Sequence, residues 1–142
     1  MSLIVVGLNH RTAPVEVLER VAVSRTDLPK ALLDLTQRDH LSEVVLLSTC
    51  NRTEVYARCT KFHAAVDDVR LSILRHAGLS DDVLSEHLYT YYDDAAVAHL
   101  FGVAAGVAAV ADPGRVHQPH GGVLVGEAGI RFGHPSARRS LA

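Results

Sequence analysis

The pattern of apolar and polar positions predicts four strands in the first 107 residues. The short apolar and β-branched run at residues 3–8, ended by Gly7 and Asn9, predicts a buried strand. Residues 43–48 predict a second one, because residues 44–47 are continuously apolar. Residues 53–59 alternate instead, with Glu54, Tyr56 and Arg58 on the polar side. Because one side chain in two is then apolar, this strand is expected to be half-buried. Residues 88–92, with three tyrosines, form the fourth predicted strand.

Segments predicted to form helices separate these strands. Pro14 suits the first turn of a short helix that ends near Arg20. Ser24 or Thr26 is expected to cap a second helix. Residues 64–77 form a third helix, which Gly78 stops. Asp93 or Asp94 is expected to cap the last helix. The apolar positions of this helix are Val97, Leu100, Phe101 and Ala104.

The order of the main elements is strand, helix, strand, strand, helix, strand, with further helices added. This β-α-β-β-α-β order is typical of ferredoxin-like folds and predicts an α+β domain. The strand order within the sheet stays open, so the sequence alone does not tell whether the ends of the first and third strands meet.

Composition divides the chain near residue 112. The 142 residues carry a formal net charge of −2, and the last 30 hold six of the ten glycines and three of the five prolines. We therefore expect a domain over residues 1–107 and an irregular tail over residues 108–142. The apolar runs of the chain, such as those at 103–105 and 107–111, are far shorter than the roughly 20 residues of a membrane span. The N-terminus lacks the basic region of a signal peptide, so a cytoplasmic protein without membrane contact is expected.

Cys50 is the strongest candidate for chemistry. It follows a predicted buried strand among hydroxyl, amide and guanidinium groups, and the nearby Arg52 favours a thiolate. A small inert cysteine in a polar turn is the alternative. Cys59 has no polar setting and is expected in the core. His99 lies on an apolar helix, where a buried, hydrogen-bonded histidine and a proton donor are both possible.

Cofactor and metal signals are weak. No Gly-x-Gly-x-x-Gly follows a predicted strand, so the usual nicotinamide-binding unit is not expected. The histidines of the tail, His117, His120 and His134, have no cysteine partner, and no metal site is predicted from them.

Three segments together resemble glutamyl-tRNA reductase. They are residues 7–16 (GLNHRTAPVE), residues 47–57 (LSTCNRTEVYA) and residues 98–106 (AHLFGVAAG). The resemblance implies the ferredoxin-like catalytic domain of that family, which uses NADPH to convert glutamyl-tRNA to glutamate-1-semialdehyde for tetrapyrrole (porphyrin) synthesis. It implies that Cys50 is the nucleophile that forms a thioester, and that Arg52 holds the substrate carboxylate. It further implies that Thr49 and Asn51 line the substrate pocket and that His99 is the histidine linked to activity.

The chain departs from the family after Gly106. Val107 and two alanines follow where the family has a substrate-contacting serine, and residues 126–130 (GEAGI) only partly match the family's Gly-Glu-Pro-Gln motif. We therefore expect a truncated catalytic domain, without the family's NADPH and dimerisation domains, in which a frameshift would explain the change of composition. A catalytically inactive relic that binds tRNA or protein is the alternative. A thiol hydrolase or redox sensor built on Cys50 is a third hypothesis.

Overall fold

Four strands and five helices make up residues 1–106, the part of the chain that the structure, a computed structural model, describes. In chain order they are β1 (Ser2–Asn9), α1 (Val15–Val21), α2 (Leu28–Thr36), β2 (Leu41–Ser48), β3 (Arg52–Cys59), α3 (Phe62–Ala77), α4 (Asp81–Ser85), β4 (Tyr89–Tyr92) and α5 (Asp93–Ala104). The predicted irregular tail and its three histidines lie outside the described residues.

The strands form one antiparallel sheet in the order β2-β3-β1-β4. In the central pair, Ser2 of β1 lies opposite Cys59 of β3, and Asn9 lies opposite Arg52. The predicted α+β class with a ferredoxin-like element order is confirmed, and the structure supplies the strand order that the sequence left open. Because β1 and β3 are antiparallel, the C-terminal end of β1 and the start of β3 lie side by side at the same end of the sheet.

Helices α1, α2 and α3 cover one face of the sheet. The alternate residues Ile4, Val6 and Leu8 of β1 point into this layer, as do Val55 and Ala57 of β3. Burying these β-branched and aliphatic side chains removes apolar area from water at about 25 cal/mol per Å². This layer is the main hydrophobic core and holds the sheet in place.

Helix α5 covers the opposite face. Val5, Tyr56 and Ala96 are buried there, with Leu3 and Val45 packed against them. The prediction that β3 is half-buried was therefore wrong: Glu54 is fully buried and Tyr56 is 5% exposed. Alternation showed that the two faces differ in chemistry, but it could not show that a helix from later in the chain covers the polar one.

Several predicted helix and strand ends differ from the structure. Strand β1 spans Ser2–Asn9, one residue longer at each end than the predicted 3–8. The carboxylate of Asp93 does not cap α5; it accepts the backbone N–H of Leu3 at 2.9 Å, which fastens α5 to the sheet. The N-cap of α2 is Asp27 and not the predicted Ser24 or Thr26. The hydroxyl of Ser24 accepts the N–H of Asp27 at 3.1 Å and closes the turn before the helix. The sequence did not predict α4 as a helix.

Gly78 ends α3 as predicted. It has a φ of 63°, and its N–H donates to the carbonyl of Leu74. Only glycine adopts this left-handed conformation without a steric cost. Within residues 1–106, no helix is long and apolar enough to cross a membrane.

Candidate functional site

The β2–β3 loop presents Cys50 at the surface. Its base is closed by a hydrogen bond of 2.8 Å from the N–H of Thr49 to the carbonyl of Arg52. The hydroxyl of Thr49 accepts the N–H groups of Asn51 and Arg52, both at 3.2 Å. The thiol of Cys50 is exposed, whereas Cys59 is buried at the other end of β3. The loop therefore holds an accessible sulfur on a backbone fixed by three hydrogen bonds.

The turn after β1 lies against this loop. The N–H of His10 donates to the carbonyl of Asn51 at 2.9 Å. Asn9 shapes the turn, since its side-chain oxygen accepts the N–H of Arg11 at 2.9 Å. The two polar segments that follow β1 and β2 in the sequence are thus brought together, because antiparallel pairing places the end of β1 beside the start of β3.

The buried carboxylate of Glu54 lies within hydrogen-bond distance of four side chains. Oε1 of Glu54 accepts a hydrogen bond of 2.9 Å from Nη1 of Arg52. The same oxygen lies 2.7 Å from Nε2 of His99. It also accepts the hydroxyl proton of Tyr89. The second oxygen, Oε2, accepts the hydroxyl of Tyr56 at 2.6 Å. We call these five residues (Arg52, Glu54, Tyr56, Tyr89 and His99) the Glu54 cluster.

The hydrogen bonds keep Glu54 ionised. Burial by itself raises the pKa of this carboxyl, but hydrogen bonds from Tyr56, Tyr89 and His99 and the charge of Arg52 outweigh it, so the net pKa is lowered. Burial, together with the neighbouring Glu54 charge, raises the pKa of both Tyr56 and Tyr89. Both phenols therefore stay protonated as donors to the carboxylate.

His99 reaches the cluster from α5. Its side chain is 14% exposed. The ring lies beside Tyr91 and Tyr89, with centroid separations of 4.9 and 5.4 Å. Hydrogen bonds among the described residues join His99 to Arg52 through Glu54. His99 is thus partly buried and hydrogen-bonded, and its proposed role in catalysis stays a prediction.

Glu54, Tyr56 and Tyr89 were not predicted as parts of the site. The alternation in residues 53–59 placed Glu54 and Tyr56 on the polar side of a half-buried strand, and Tyr89 was predicted only as part of the fourth strand. Gly7 was the available signal, because a glycine inside a strand often marks a close approach by another group. Gly7 lies opposite Glu54 in the β1–β3 ladder.

The described residues contain no group of three or more histidine, cysteine or acidic side chains arranged to hold a metal. The antiparallel sheet of residues 1–106 also offers no pair of adjacent parallel strands leading to a glycine-rich helix start. A dinucleotide such as NADPH is usually held by that arrangement. The described residues thus do not fit this cofactor.

Comparison with known proteins gives matches over the same region. The sequence model "Glutamyl-tRNAGlu reductase, N-terminal domain" matches residues 6–111. A glutamyl-tRNA reductase of Frankia alni is 50% identical over 107 residues, which cover 75% of this chain and 23% of the relative. That of Salinispora arenicola is 48% identical, covering 75% of this chain and 24% of the relative.

A solved structure of glutamyl-tRNA reductase from Methanopyrus kandleri also matches. It is 30% identical, with a TM-score of 0.49, covering 75% of this chain and 23% of that protein. The chain thus spans about a quarter of the length of these relatives.

Proposed function

Because the chain belongs to the glutamyl-tRNA reductase family, whose N-terminal domain it matches, we propose that it carries out the first half of that family's reaction. In this step Cys50 takes the glutamyl group from glutamyl-tRNA as a thioester. One observation carries the proposal: the exposed thiol lies in a hydrogen-bonded loop that continues directly into Arg52 and the Glu54 cluster.

The chemical step is an acyl transfer. The thiolate of Cys50 attacks the carbonyl carbon of the ester that joins glutamate to the terminal ribose. As the carbon–sulfur bond forms and the carbon–oxygen bond breaks, the ribose oxygen leaves with the electron pair. It takes a proton from water, which balances the proton that the Cys50 thiol lost to water. A thiolate is the reactive form of cysteine for such an attack. The products are free tRNA and a glutamyl thioester on the protein.

Three neighbours of Cys50 are proposed to bind the substrate. Arg52 suits the side-chain carboxylate of the glutamyl group, because a guanidinium donates several N–H groups in a planar fork. Its Nη1 is held by Glu54 at 2.9 Å, which fixes the orientation of the remaining donors. Thr49 and Asn51 supply short polar contacts from the same loop.

The second half of the family's reaction is the reduction of the thioester with NADPH to glutamate-1-semialdehyde. Residues 1–106 do not contain the parallel strands and glycine-rich helix start that usually hold a dinucleotide. We therefore assign thioester formation to these residues. Without a reductant, water attacks the thioester and releases glutamate, so slow hydrolysis of glutamyl-tRNA is expected.

Intact-mass spectrometry tests this proposal. The protein is mixed with glutamyl-tRNA, quenched with acid and compared with a Cys50→Ser variant and a Cys59→Ser control. We expect a glutamyl adduct on the native chain and on Cys59→Ser, and none on Cys50→Ser. If no adduct forms and the glutamyl-tRNA stays intact, the acyl-transfer function is wrong and the alternative of an inactive binding module is favoured. Binding of uncharged tRNA, measured separately, then tests that alternative.

A further inference from the structure

The contact with Glu54 determines which ring nitrogen of His99 carries the proton when the ring is neutral. An ionised carboxylate can only accept hydrogen bonds, and Arg52 can only donate them. Nε2 of His99 lies 2.7 Å from Oε1 of Glu54, so this nitrogen must be the donor. The same oxygen receives Arg52 and Tyr89, which leaves it with no proton of its own.

The carboxylate is held in place from three sides. Gly7 leaves the space that the Glu54 side chain fills on the neighbouring strand. The hydroxyl of Tyr56 fixes Oε2 at 2.6 Å. The side-chain amide of Asn9 donates to the hydroxyl of Tyr89 at 3.4 Å, which directs the Tyr89 proton towards Glu54. Glu54 is thus a preset acceptor that requires no rearrangement to receive His99.

We infer that Glu54 is a positioning residue, which keeps Nε2 of His99 protonated so that any proton exchanged by His99 during the reaction moves at Nδ1. This role deepens the proposed function and depends on it for its link to catalysis. The form of the ring does not depend on it, because it follows from the contacts among Glu54, His99 and Arg52 alone. In a neutral imidazole with Nε2 protonated, Nδ1 carries the free electron pair. It is therefore the nitrogen that can accept a proton and later return it.

Nitrogen-15 NMR of the full chain, without tRNA, tests the form of the ring. Signals of His99 are assigned by their loss in a His99→Gln variant. For the neutral ring, we expect the Nε2 signal in the protonated range and the Nδ1 signal in the unprotonated range. If Nδ1 keeps the proton and Nε2 loses it, the inference is overturned.

His87 is a matched internal control. Its Nδ1 lies 2.7 Å from the carbonyl oxygen of Thr12. A carbonyl oxygen only accepts, so Nδ1 must be the protonated nitrogen of His87. The same spectrum should therefore show opposite patterns for His87 and His99. Substitutions at Glu54 should leave the pattern of His87 unchanged.

Two variants separate positioning from a merely structural role. Glu54→Gln keeps a carbonyl oxygen that can accept Nε2, so His99 should keep its form. Glu54→Met removes the acceptor, and His99 should become a mixture of both forms. Adduct formation with glutamyl-tRNA should fall about tenfold or more in Glu54→Met, since a wrongly protonated histidine is a known cause of large rate losses. It should fall less in Glu54→Gln.

The outcomes distinguish the inference from the proposed function. A native chain with the expected His99 spectrum but no adduct shows that the proposed function has failed and the ring assignment has not. A Glu54→Met variant that folds and keeps the native His99 pattern overturns the positioning role. If that variant does not fold, the nitrogen-15 spectra of the native chain and of Glu54→Gln still decide the assignment.

Discussion

Glu54 lies directly opposite Gly7 in the β1–β3 ladder, and its side chain fills the space that a side chain at position 7 would need. A Cβ on Gly7 would lie 2.8 Å from Cγ of Glu54 and 2.6 Å from the backbone oxygen of Thr53. Both separations are shorter than ordinary van der Waals contact. The buried carboxylate and the hydrogen bonds around it therefore depend on the absence of a side chain at position 7.

Replacing Gly7 by alanine should destabilise the domain by about 1–3 kcal/mol, because overpacking in a rigid sheet forces the backbone apart. Urea denaturation measures this change. Gly78→Ala is the matched control: it introduces strain at a φ of 63° but lies outside the Glu54 cluster. Both variants should lose stability, but only Gly7→Ala should alter the His99 spectrum. A Gly7→Ala protein with native stability would show that β1 and β3 adjust freely.

Removing Arg52 should be more costly than removing an exposed arginine. Arg52 and Glu54 form a buried ion pair of 2.9 Å, with side chains 7% and 0% exposed. Arg52→Met leaves an uncompensated carboxylate and should cost about 3–5 kcal/mol. In the control, Arg58→Met breaks a half-exposed pair with Glu43 and should cost less than about 1 kcal/mol. Equal losses in urea denaturation would contradict the buried-pair argument.

Acid should destabilise the fold partly through Glu54. Although burial raises the pKa of this carboxyl, its hydrogen bonds and Arg52 lower the net pKa below the ordinary value of 4.5. The contribution of the ionised group is therefore complete above about pH 4.5 and is lost as pH falls through the lowered pKa of the folded state. The free energy of unfolding should decrease in that window, and less steeply in Glu54→Gln.

Asp34 provides the control for this acid dependence. Burial raises its pKa, but hydrogen bonds from Ser72 and Arg38 lower the net pKa below the ordinary value of 3.8. Asp34→Asn should therefore retain the loss of stability that begins near pH 4.5 and remove part of the loss that begins near pH 3.8. A native chain whose stability does not change between pH 6 and pH 3 would contradict both assignments.

The two cysteines should react with an alkylating reagent at very different rates. Cys50 is exposed, whereas Cys59 is 1% exposed, and burial raises the pKa of its thiol. Native labelling should therefore modify Cys50 first, and Cys59 should react only on local or global opening. Mass spectrometry of peptides after timed quenching measures both rates, with urea-unfolded protein as the reference. Similar slow rates in the native chain would argue against an accessible, reactive Cys50.

The outer side of α5 should promote self-association. Val97, Leu100 and Phe101 are 38%, 41% and 69% exposed, and neighbouring exposed apolar side chains favour association. Phe101→Ser should reduce self-association in analytical ultracentrifugation with little loss of stability. Val103→Ser is the contrast, because Val103 is 8% exposed and its substitution should destabilise the fold. Unchanged association in Phe101→Ser would place the contact elsewhere.

The sequence by itself determined the strands, the class of fold and the segment that carries Cys50. Hydrophobic runs at residues 3–8 and 43–48 located β1 and β2, and Gly78 marked the end of α3, because these signals depend on local periodicity and backbone conformation. The motif around Cys50 identified the family for a similar reason, since its residues are adjacent in the chain.

Only the tertiary structure decided what surrounds Glu54. The antiparallel register placed Gly7 opposite Glu54, and the packing of α5 brought His99, 45 positions further along the chain, within hydrogen-bond distance of the carboxylate. Alternation in β3 assigned Glu54 to a polar face, and a polar face looks the same in sequence whether water or a helix covers it. Burial and pairing of charges depend on contacts between distant segments, which no local pattern records.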